Sequence, residues 1–571
     1  MKNINLAEIF YNIADILEIK NDNFFKIRAY RKAAQTMEEL AEDIEDIASR
    51  NELQNIPGIG KDLSEKINEY ISTGKIRHYE ELKKEVPEIL LKMMSIQGVG
   101  PKKARLIYDR FKVRSIEELE RLAKSHKLSG LPGFKEKSEQ NILRGIELFK
   151  KRSERMLLGA ALPIATQIIS NLKKLREVKS ISTAGSVRRM KETIRDIDIL
   201  VTSDKPETVT GAFVSMPQVK EVLAQGPTKS SILTKNGLQV DLRVVDPDCY
   251  GATLLYFTGS KAHNVALRKL AKSKGWKINE YGVFRTRDKK KLAGKTEKEM
   301  YESLGLSYIP PEMGEDTGEI ESARRHKIPR LLELADMRGD LHVHTDRSDG
   351  SHSLEDAVRA AIKKGYEYIA VTDHTRSLTV AGGQSIREIK KQLADIKRLN
   401  KKLKAFRILA SAEVDILSDG SLDLPDDLLR QLDIVVAAIH SGFKNKKDVM
   451  TERVLRAMNN RYVHIISHPT GRLLHARDPY DIDLEKVVRA ARDTKTALEI
   501  NAYPERLDLN DANARFAKEN GVRFAINTDM HTLDQFENMR FGVAVARRAW
   551  LTKEDVLNTL PVNKLLKTIQ K

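Results

Sequence analysis

Arg195-Asp196-Ile197-Asp198-Ile199-Leu200-Val201 is the stretch on which the reading of this chain turns. Its β-branched run predicts a strand, and because strand side chains alternate, Asp196 and Asp198 fall on one face, where two carboxylates can share a divalent ion. Gln239-Val240-Asp241-Leu242-Arg243 offers a third carboxylate on a neighbouring strand. Upstream, Gly185-Ser186-Val187-Arg188-Arg189 supplies a turn, a hydroxyl and positive charge suited to a triphosphate. Two ions ~3.5–4 Å apart, activating a hydroxyl and stabilising a leaving pyrophosphate, need such clustered hard oxygen ligands. Alone, an acidic pair after a basic loop also describes a solvated surface, so the flanking sequence decides.

The chain has 571 residues, too many for one ordinary domain, and 41% are hydrophobic, enough for several cores. Lys and Arg number 99 against 81 Asp and Glu, a formal charge of +18 that suits a polyanionic partner, nucleic acid first. Cys249 is the single cysteine, so no intrachain disulfide forms, and Met1 to Tyr11 lacks a signal-peptide core. No stretch has the apolar length of a membrane span, and the expectation is a soluble, cytoplasmic protein with no membrane partner.

On the amino-terminal side, Leu6, Ile9, Phe10, Ile13, Ile16 and Leu17 recur at helical spacing, and short helices broken by glycines continue to about Phe149. Ile56-Pro57-Gly58-Ile59-Gly60-Lys61 and Ile96-Gln97-Gly98-Val99-Gly100-Pro101-Lys102 share one form: apolar, any, Gly, apolar, Gly, then a basic residue. Gly58, Gly60, Gly98 and Gly100 let the backbone approach a phosphate, and Lys61 and Lys102 add charge beside the next helix's free N–H groups. Such contacts hold DNA without reading its sequence. Leu131-Pro132-Gly133-Phe134 is a weaker third copy.

On the carboxyl-terminal side, seven strand candidates alternate with helical patterns: Asp340–His344, Tyr368–Thr372, Arg407–Glu413, Asp433–Ile439, Val463–Ser467, Ala497–Asn501 and Arg523–Thr528. This predicts parallel strands closed, or nearly closed, as a barrel. Of thirteen histidines, nine lie between His342 and His531, several at strand ends. Strand C-termini converge in a barrel, so His342, His344, His374, His440, His468 and His531, with Asp349, Glu413 and Asp529, form a mixed nitrogen and oxygen ligand set suited to Mn²⁺, Zn²⁺ or Fe²⁺. His352, His464 and His475 fit no ligand position.

The palm residues resemble the X family of DNA polymerases, of which polymerase beta is a member: Gly185-Ser186, Arg189, Asp196, Asp198 and Asp241 match in order and spacing, followed by Tyr256-Phe257-Thr258-Gly259-Ser260, Asn264 and Arg268. The resemblance implies that Asp196 and Asp198 bind two Mg²⁺ ions, that Asp241 binds the catalytic one, and that Arg155, Ser186 and Arg189 hold the triphosphate of a deoxynucleotide. It further implies that Tyr256 and Phe257 pack on the sugar, that Asn264 touches the base, and that Arg268 contacts the template. Two positions depart from the family: Arg195 replaces a frequent glycine, and Lys261, replacing aspartate, would add a cationic nucleotide contact. Ala29-Tyr30-Arg31-Lys32-Ala33 and the first hairpin resemble that family's lyase domain, which aligns Lys66 with its Schiff-base nucleophile and places Asp62 where a lysine is usual. Residues 339–571 resemble the PHP family of polymerase and histidinol phosphatase domains, whose distorted barrel carries up to three metals. That resemblance implies one set from His342, His344, Glu413 and Asp529, a second from Glu413, His440 and His468, and a third from Asp349, His374 and His531, holding Mn²⁺ or Zn²⁺.

The expected architecture is multidomain. Residues 1–85 form a lyase-like helical domain, 86–150 a helical fingers-type subdomain, 151–247 an α+β nucleotidyltransferase palm, 248–317 a nucleotide-selecting thumb, 318–338 a linker and 339–571 a (β/α)7 PHP barrel. The expected function is gap-filling DNA polymerase in base excision repair on gapped or nicked duplex. The barrel would supply 3′-5′ exonuclease or end processing, with abasic-site incision a further activity. The alternative is a DNA-end binding scaffold whose barrel acts on a small phosphomonoester; the intact carboxylates weigh against it.

Overall fold

The computed structural model describes the chain apart from residues 1, 21, 40–43, 57, 95, 97–98, 132–133, 135–138, 141, 144, 147–154, 379–380 and 475–476, and apart from side chains at 2–5, 8, 35, 38–39, 46, 84, 88 and 102. The amino-terminal region is helical, led by α1 (Lys2–Ile19), α2 (Phe24–Glu39), α3 (Lys61–Thr73) and α4 (Pro101–Phe111). Its core joins Leu6, Phe10, Ile13 and Leu17 to Tyr30, Ile67 and Ile107, so the stripe seen in the sequence is the face that packs.

The palm is a five-stranded sheet built from β1 (Ser180–Thr183), β2 (Asp196–Thr202), β3 (Val219–Gln225), β4 (Lys229–Thr234) and β5 (Gln239–Val245), in the order β1-β2-β5-β4-β3. β2 and β5 are parallel, with Asp198 opposite Asp241 and Asp196 opposite Gln239. Ile197 and Ile199 are buried on the opposite face against α5 (Leu158–Leu172), so the sheet's two sides divide into core and site.

The thumb follows as α6 (Tyr250–Thr258), α7 (Lys261–Ser273) and a three-stranded antiparallel sheet. The stretch after it, 318–338, expected to be a linker, packs on the thumb instead. Ala323 and Leu331 are buried in the thumb's core beside Met313, and α8 (Glu319–Arg324) places a fully buried Glu319 against His263. A connector's polar, glycine-containing composition concealed these apolar anchors.

The barrel strands are β6 (Gly339–Val343), β7 (Tyr368–Val371), β8 (Arg407–Asp415), β9 (Ile434–Ala438), β10 (Ile465–Ile466), β11 (Ala497–Asn501) and β12 (Phe524–Asn527). They run parallel in sequence order, and a parallel bridge from Val343 to Met530 brings the last strand beside the first. The strands are buried on both faces, as parallel strands covered by helices must be. Barrel and palm share one hydrophobic cluster, and Arg472 on a barrel loop forms an ion pair with Glu192 of the palm.

Candidate polymerase and metal sites

The palm site is assembled by strand register. The parallel pairing sets Asp198 beside Asp241, and Gln239 donates to Asp241 at 3.1 Å. Burial pushes Asp198 up to about 6, with Asp196 and Asp241 adding to the effect; burial also raises Asp196. Three acids crowded this way could hold a divalent ion, which would neutralise charge that they do not easily bear together.

Gly185, at φ +59°, opens the turn above this cluster, and a Cβ there would lie 2.4 Å from an Asp198 carboxylate oxygen. Only glycine lets the turn come so close. Arg155 donates to Thr193, next to the carboxylate strand, through Nε at 2.7 Å. Arg189 reaches Glu315 at 2.9 Å and the Thr258 carbonyl at 2.6 Å, while Arg188 grips Glu297 through two bonds of 2.6 Å. Both arginines therefore tie the palm to the thumb. Arg188 was read only as part of the basic loop, and its pairing with Glu297 was not visible because the partner lies 109 residues away. Tyr256 meets Phe257 edge-on at 5.1 Å, Arg243 lies 4.3 Å over the Phe257 ring, and Asn264 donates to the Tyr256 carbonyl at 2.6 Å. Arg268 continues this wall by donating to the Asn264 carbonyl at 3.3 Å. Gly259 ends α6, and Lys261 is exposed at the first position of α7. His263 bonds Glu319 at 2.5 Å and Tyr301 at 3.0 Å and is a packed residue of the thumb.

In the helical region Gly60 and Gly100 cap α3 and α4, and Gly58 takes φ +90° over the Lys32 side chain. Lys61 is exposed at the start of α3. Gly98, Pro132, Gly133 and the Lys102 side chain fall outside the described residues. Lys66 forms an ion pair with Asp62 at 2.5 Å, and burial, then Lys66, lowers the nearby His78.

At the barrel mouth all nine residues expected as ligands converge. His342 Nε2 lies 3.4 Å from both Glu413 and Asp529, and His344 Nε2 is 3.1 Å from Asp529. His468 and His440 face one Glu413 oxygen at 3.0 and 3.5 Å, and His374 faces the other at 3.0 Å. Asp349 meets His374 at 3.4 Å and His531 at 3.2 Å. Ligand atoms about a common ion, with bonds of about 2.1 Å, sit roughly 3–3.5 Å apart, so the spacing fits coordination. Further, His342 Nε2, His344 Nδ1 and His374 Nδ1 are buried without a hydrogen-bond partner. Buried imidazole nitrogens left bare beside carboxylates are what a metal site provides.

Charge keeps the cluster together. Burial opposes the charged forms, yet Asp529, Glu413 and Glu499 hold His342 well above the imidazole range, and His342 in turn holds Glu413 and Asp529 well below the carboxylate range. Metal binding would displace the protons held this way. Orientation comes from residues the sequence did not single out. Glu499 accepts from His342 Nδ1 at 2.8 Å and from the His468 backbone at 2.7 Å, and Asp415 bonds His440 Nδ1 at 2.5 Å. Such outer carboxylates fix ring orientation and raise ligand basicity. Their only sequence signal is an acid inside an otherwise apolar strand. Arg506 stands 3.7 Å from Asp529. His464 accepts from the Val435 backbone at 3.0 Å and serves structure, while His475 lies outside the described residues.

Fold and sites together define a class: DNA-holding helical hairpins and a nucleotidyltransferase palm with its thumb, joined to a metal-dependent phosphoesterase barrel. Family matches agree: a helix-hairpin-helix domain over residues 1–76, a SAM-like helix-hairpin-helix tandem over 75–147, the DNA polymerase beta thumb over 253–315 and a PHP domain over 340–503. The chain is 40% identical over 556 residues to the DNA polymerase/3′-5′ exonuclease PolX of Bacillus subtilis (strain 168), covering 97% of each. It is 26% identical over 339 residues to DNA polymerase lambda of Rattus norvegicus, covering 54% of this chain and 56% of that one. The barrel alone is similar to a probable phosphatase of Thermoanaerobacter sp. (strain X514), 32% identical over 231 residues and covering 38% of this chain and 89% of that one. The chain belongs to the X family of DNA polymerases, in the group that carries a carboxyl-terminal PHP domain. Among the described residues no helix is long and apolar enough to cross a membrane.

Proposed function

We propose that this protein fills short gaps in chromosomal DNA during repair, in the cytoplasm, and trims 3′ ends in its barrel. The pairing of Asp198 with Asp241 carries the reading, since it brings three carboxylates together, as a site joining a primer hydroxyl to a nucleotide triphosphate would need. Mg²⁺ bound there would lower the charge on the reacting phosphate and the primer oxygen. The protein's own part is placement. Asp196, Asp198 and Asp241 fix the site, Gly185 admits the phosphates, and Ser186, Arg155 and Arg189 hold them, Arg189 after leaving Glu315. Tyr256 and Phe257 form the sugar wall, Lys261 adds charge, Asn264 meets the base, and Arg268 meets the template.

In the barrel, His342, His344, Glu413 and Asp529, then Glu413, His440 and His468, then Asp349, His374 and His531 would hold up to three ions, Mn²⁺ or Zn²⁺ by their nitrogen content, which would activate water and stabilise charge on phosphorus. Residues 1–85 form a lyase-like unit with Lys66 as nucleophile, and abasic-site incision belongs to the same repair role. One gapped duplex, labelled on its primer and incubated in Mg²⁺ or Mn²⁺ with and without deoxynucleotides, tests the proposal. Extension in Mg²⁺ and shortening in Mn²⁺ are expected; neither activity would refute it. The likeness of the barrel to a probable phosphatase favours a second reading, a small phosphomonoester as substrate. Faster turnover of histidinol phosphate than of the 3′-labelled duplex would establish it.

A further inference from the structure

The helix between β7 and β8, α9 (Ile386–Asn400), and its exit as far as Arg407 carry nine Lys and Arg residues against two acids, Glu388 and Asp395. That is a net +7 within a chain of net +18. All nine are exposed. Asp395 is already neutralised by Arg347 and Arg398, and Glu388 closes the helix's capping box with Ser385. Among the described residues the other eight cations have no ion-pair partner. Sister helices of the barrel behave differently: Arg359 pairs with Asp356, Arg489 with Glu485 and Arg515 with Glu519. A helix face that needs only solvation gains from such pairs at three- or four-residue spacing. Here Asp395 with Arg398 is the one such pair among the described residues, and eight cations are left over.

The position of this face gives it a direction. Just before the helix Gln384 donates its backbone N–H to the His374 carbonyl at 2.8 Å, and at mid-helix Gln392 reaches Asp373 at 3.0 Å, so the first half lies at the metal-site mouth. At its other end Asn400 and Ile408 exchange bonds of 2.8 and 2.9 Å at the start of β8, the barrel's far side. Lys390, Lys397, Lys401 and Arg407 line a groove along this flank. A helix of 15 residues is about 22 Å long, a span over which a duplex alongside presents about six phosphates of each strand. An anionic membrane is a poorer match, because none of the large hydrophobic side chains exposed among the described residues belongs to this helix.

We propose that this flank is a track for duplex DNA, separate from the amino-terminal hairpins, that guides a substrate backbone to the barrel mouth. The inference rests on the reading of the barrel as a DNA 3′-end nuclease. In the full-length protein, Lys390→Gln, Lys397→Gln, Lys401→Gln and Lys404→Gln together should raise KM for 3′ shortening of a labelled duplex at least tenfold and leave kcat within twofold. The slope of log KM against log salt should fall by about 3.6, since each of the four lost phosphate contacts removes about 0.9. Hydrolysis of bis(p-nitrophenyl) phosphate, which has no backbone to track, should stay within twofold, and the four Lys→Arg changes should keep the wild-type KM. Unchanged KM and slope would overturn the track and leave the face to solvent or an acidic protein. Equal loss on the small ester, unrescued by arginine, would overturn it too. If the wild-type protein shortens no duplex, the nuclease reading fails by itself. The salt slope of duplex binding, wild type against the glutamine variant, then decides the track.

Discussion

Gly185→Ala is the smallest change that should silence the palm. The added methyl would start 2.4 Å from an Asp198 carboxylate oxygen, and contacts under 3.0 Å are essentially never adopted by real Cβ atoms, so the carboxylate or the turn must shift by at least about 0.6 Å. A misplacement near 1 Å costs a reaction of this kind up to about 100-fold, so primer extension should fall by roughly 10- to 100-fold, or about 1.4–2.7 kcal/mol in the barrier. Alanine at φ +59° adds a local cost of about 1–2 kcal/mol to folding, too little to unfold a sheet buried as this one is. Single-turnover extension on a gapped duplex, beside duplex affinity and thermal unfolding, separates the effects. Extension within threefold of wild type, with the fold intact, would refute the claim that this glycine protects the carboxylate geometry.

Asp241→Asn should abolish extension and leave duplex affinity nearly unchanged, as anisotropy would show; undiminished extension would remove Asp241 from the metal set. Lys66→Ala should prevent borohydride trapping on incised abasic DNA, and equal trapping would move the nucleophile to another amine. A pH effect follows for metal-stripped protein. Asp198, pushed up to about 6 by burial first, costs the fold stability as the pH rises from its ordinary value of 3.8, so its penalty is only beginning at pH 4 and is complete once the pH passes about 6. Asp198→Asn should therefore raise the palm's melting temperature at pH 7.5 and not at pH 4; equal shifts at both would contradict the cause.

Much of this was legible because it is local. All seven barrel strands stood out as short runs in regular alternation with helical patterns, and the structure moves their ends only slightly. β10 shrinks to Ile465–Ile466, although His464 and Ser467 still donate to the Val435 and Ala437 carbonyls beside it, and β8 runs on to Asp415. Metal ligands were visible because histidines recurred at strand ends, where a barrel's geometry brings them together. Groups whose meaning depends on a distant partner were not visible. Glu499 looks like any acid in a strand until His342, 157 residues earlier, is seen against it. Arg188 with Glu297, and His263 with Glu319, are the same case. The stretch after the thumb misled for a related reason: Ala323 and Leu331 are too widely spaced for a periodic pattern, and only the thumb's core unites them.

The central claim is that one chain holds two independent sites, a carboxylate site for Mg²⁺ and an imidazole-rich site for softer ions. The direct test follows one labelled primer in three proteins: wild type, Asp196→Ala with Asp198→Ala, and His342→Ala with His344→Ala. The carboxylate variant should lose extension in Mg²⁺ and keep shortening in Mn²⁺, and the histidine variant should do the reverse. Shortening that survives the histidine changes but disappears with the two aspartates would place the nuclease in the palm and contradict the account.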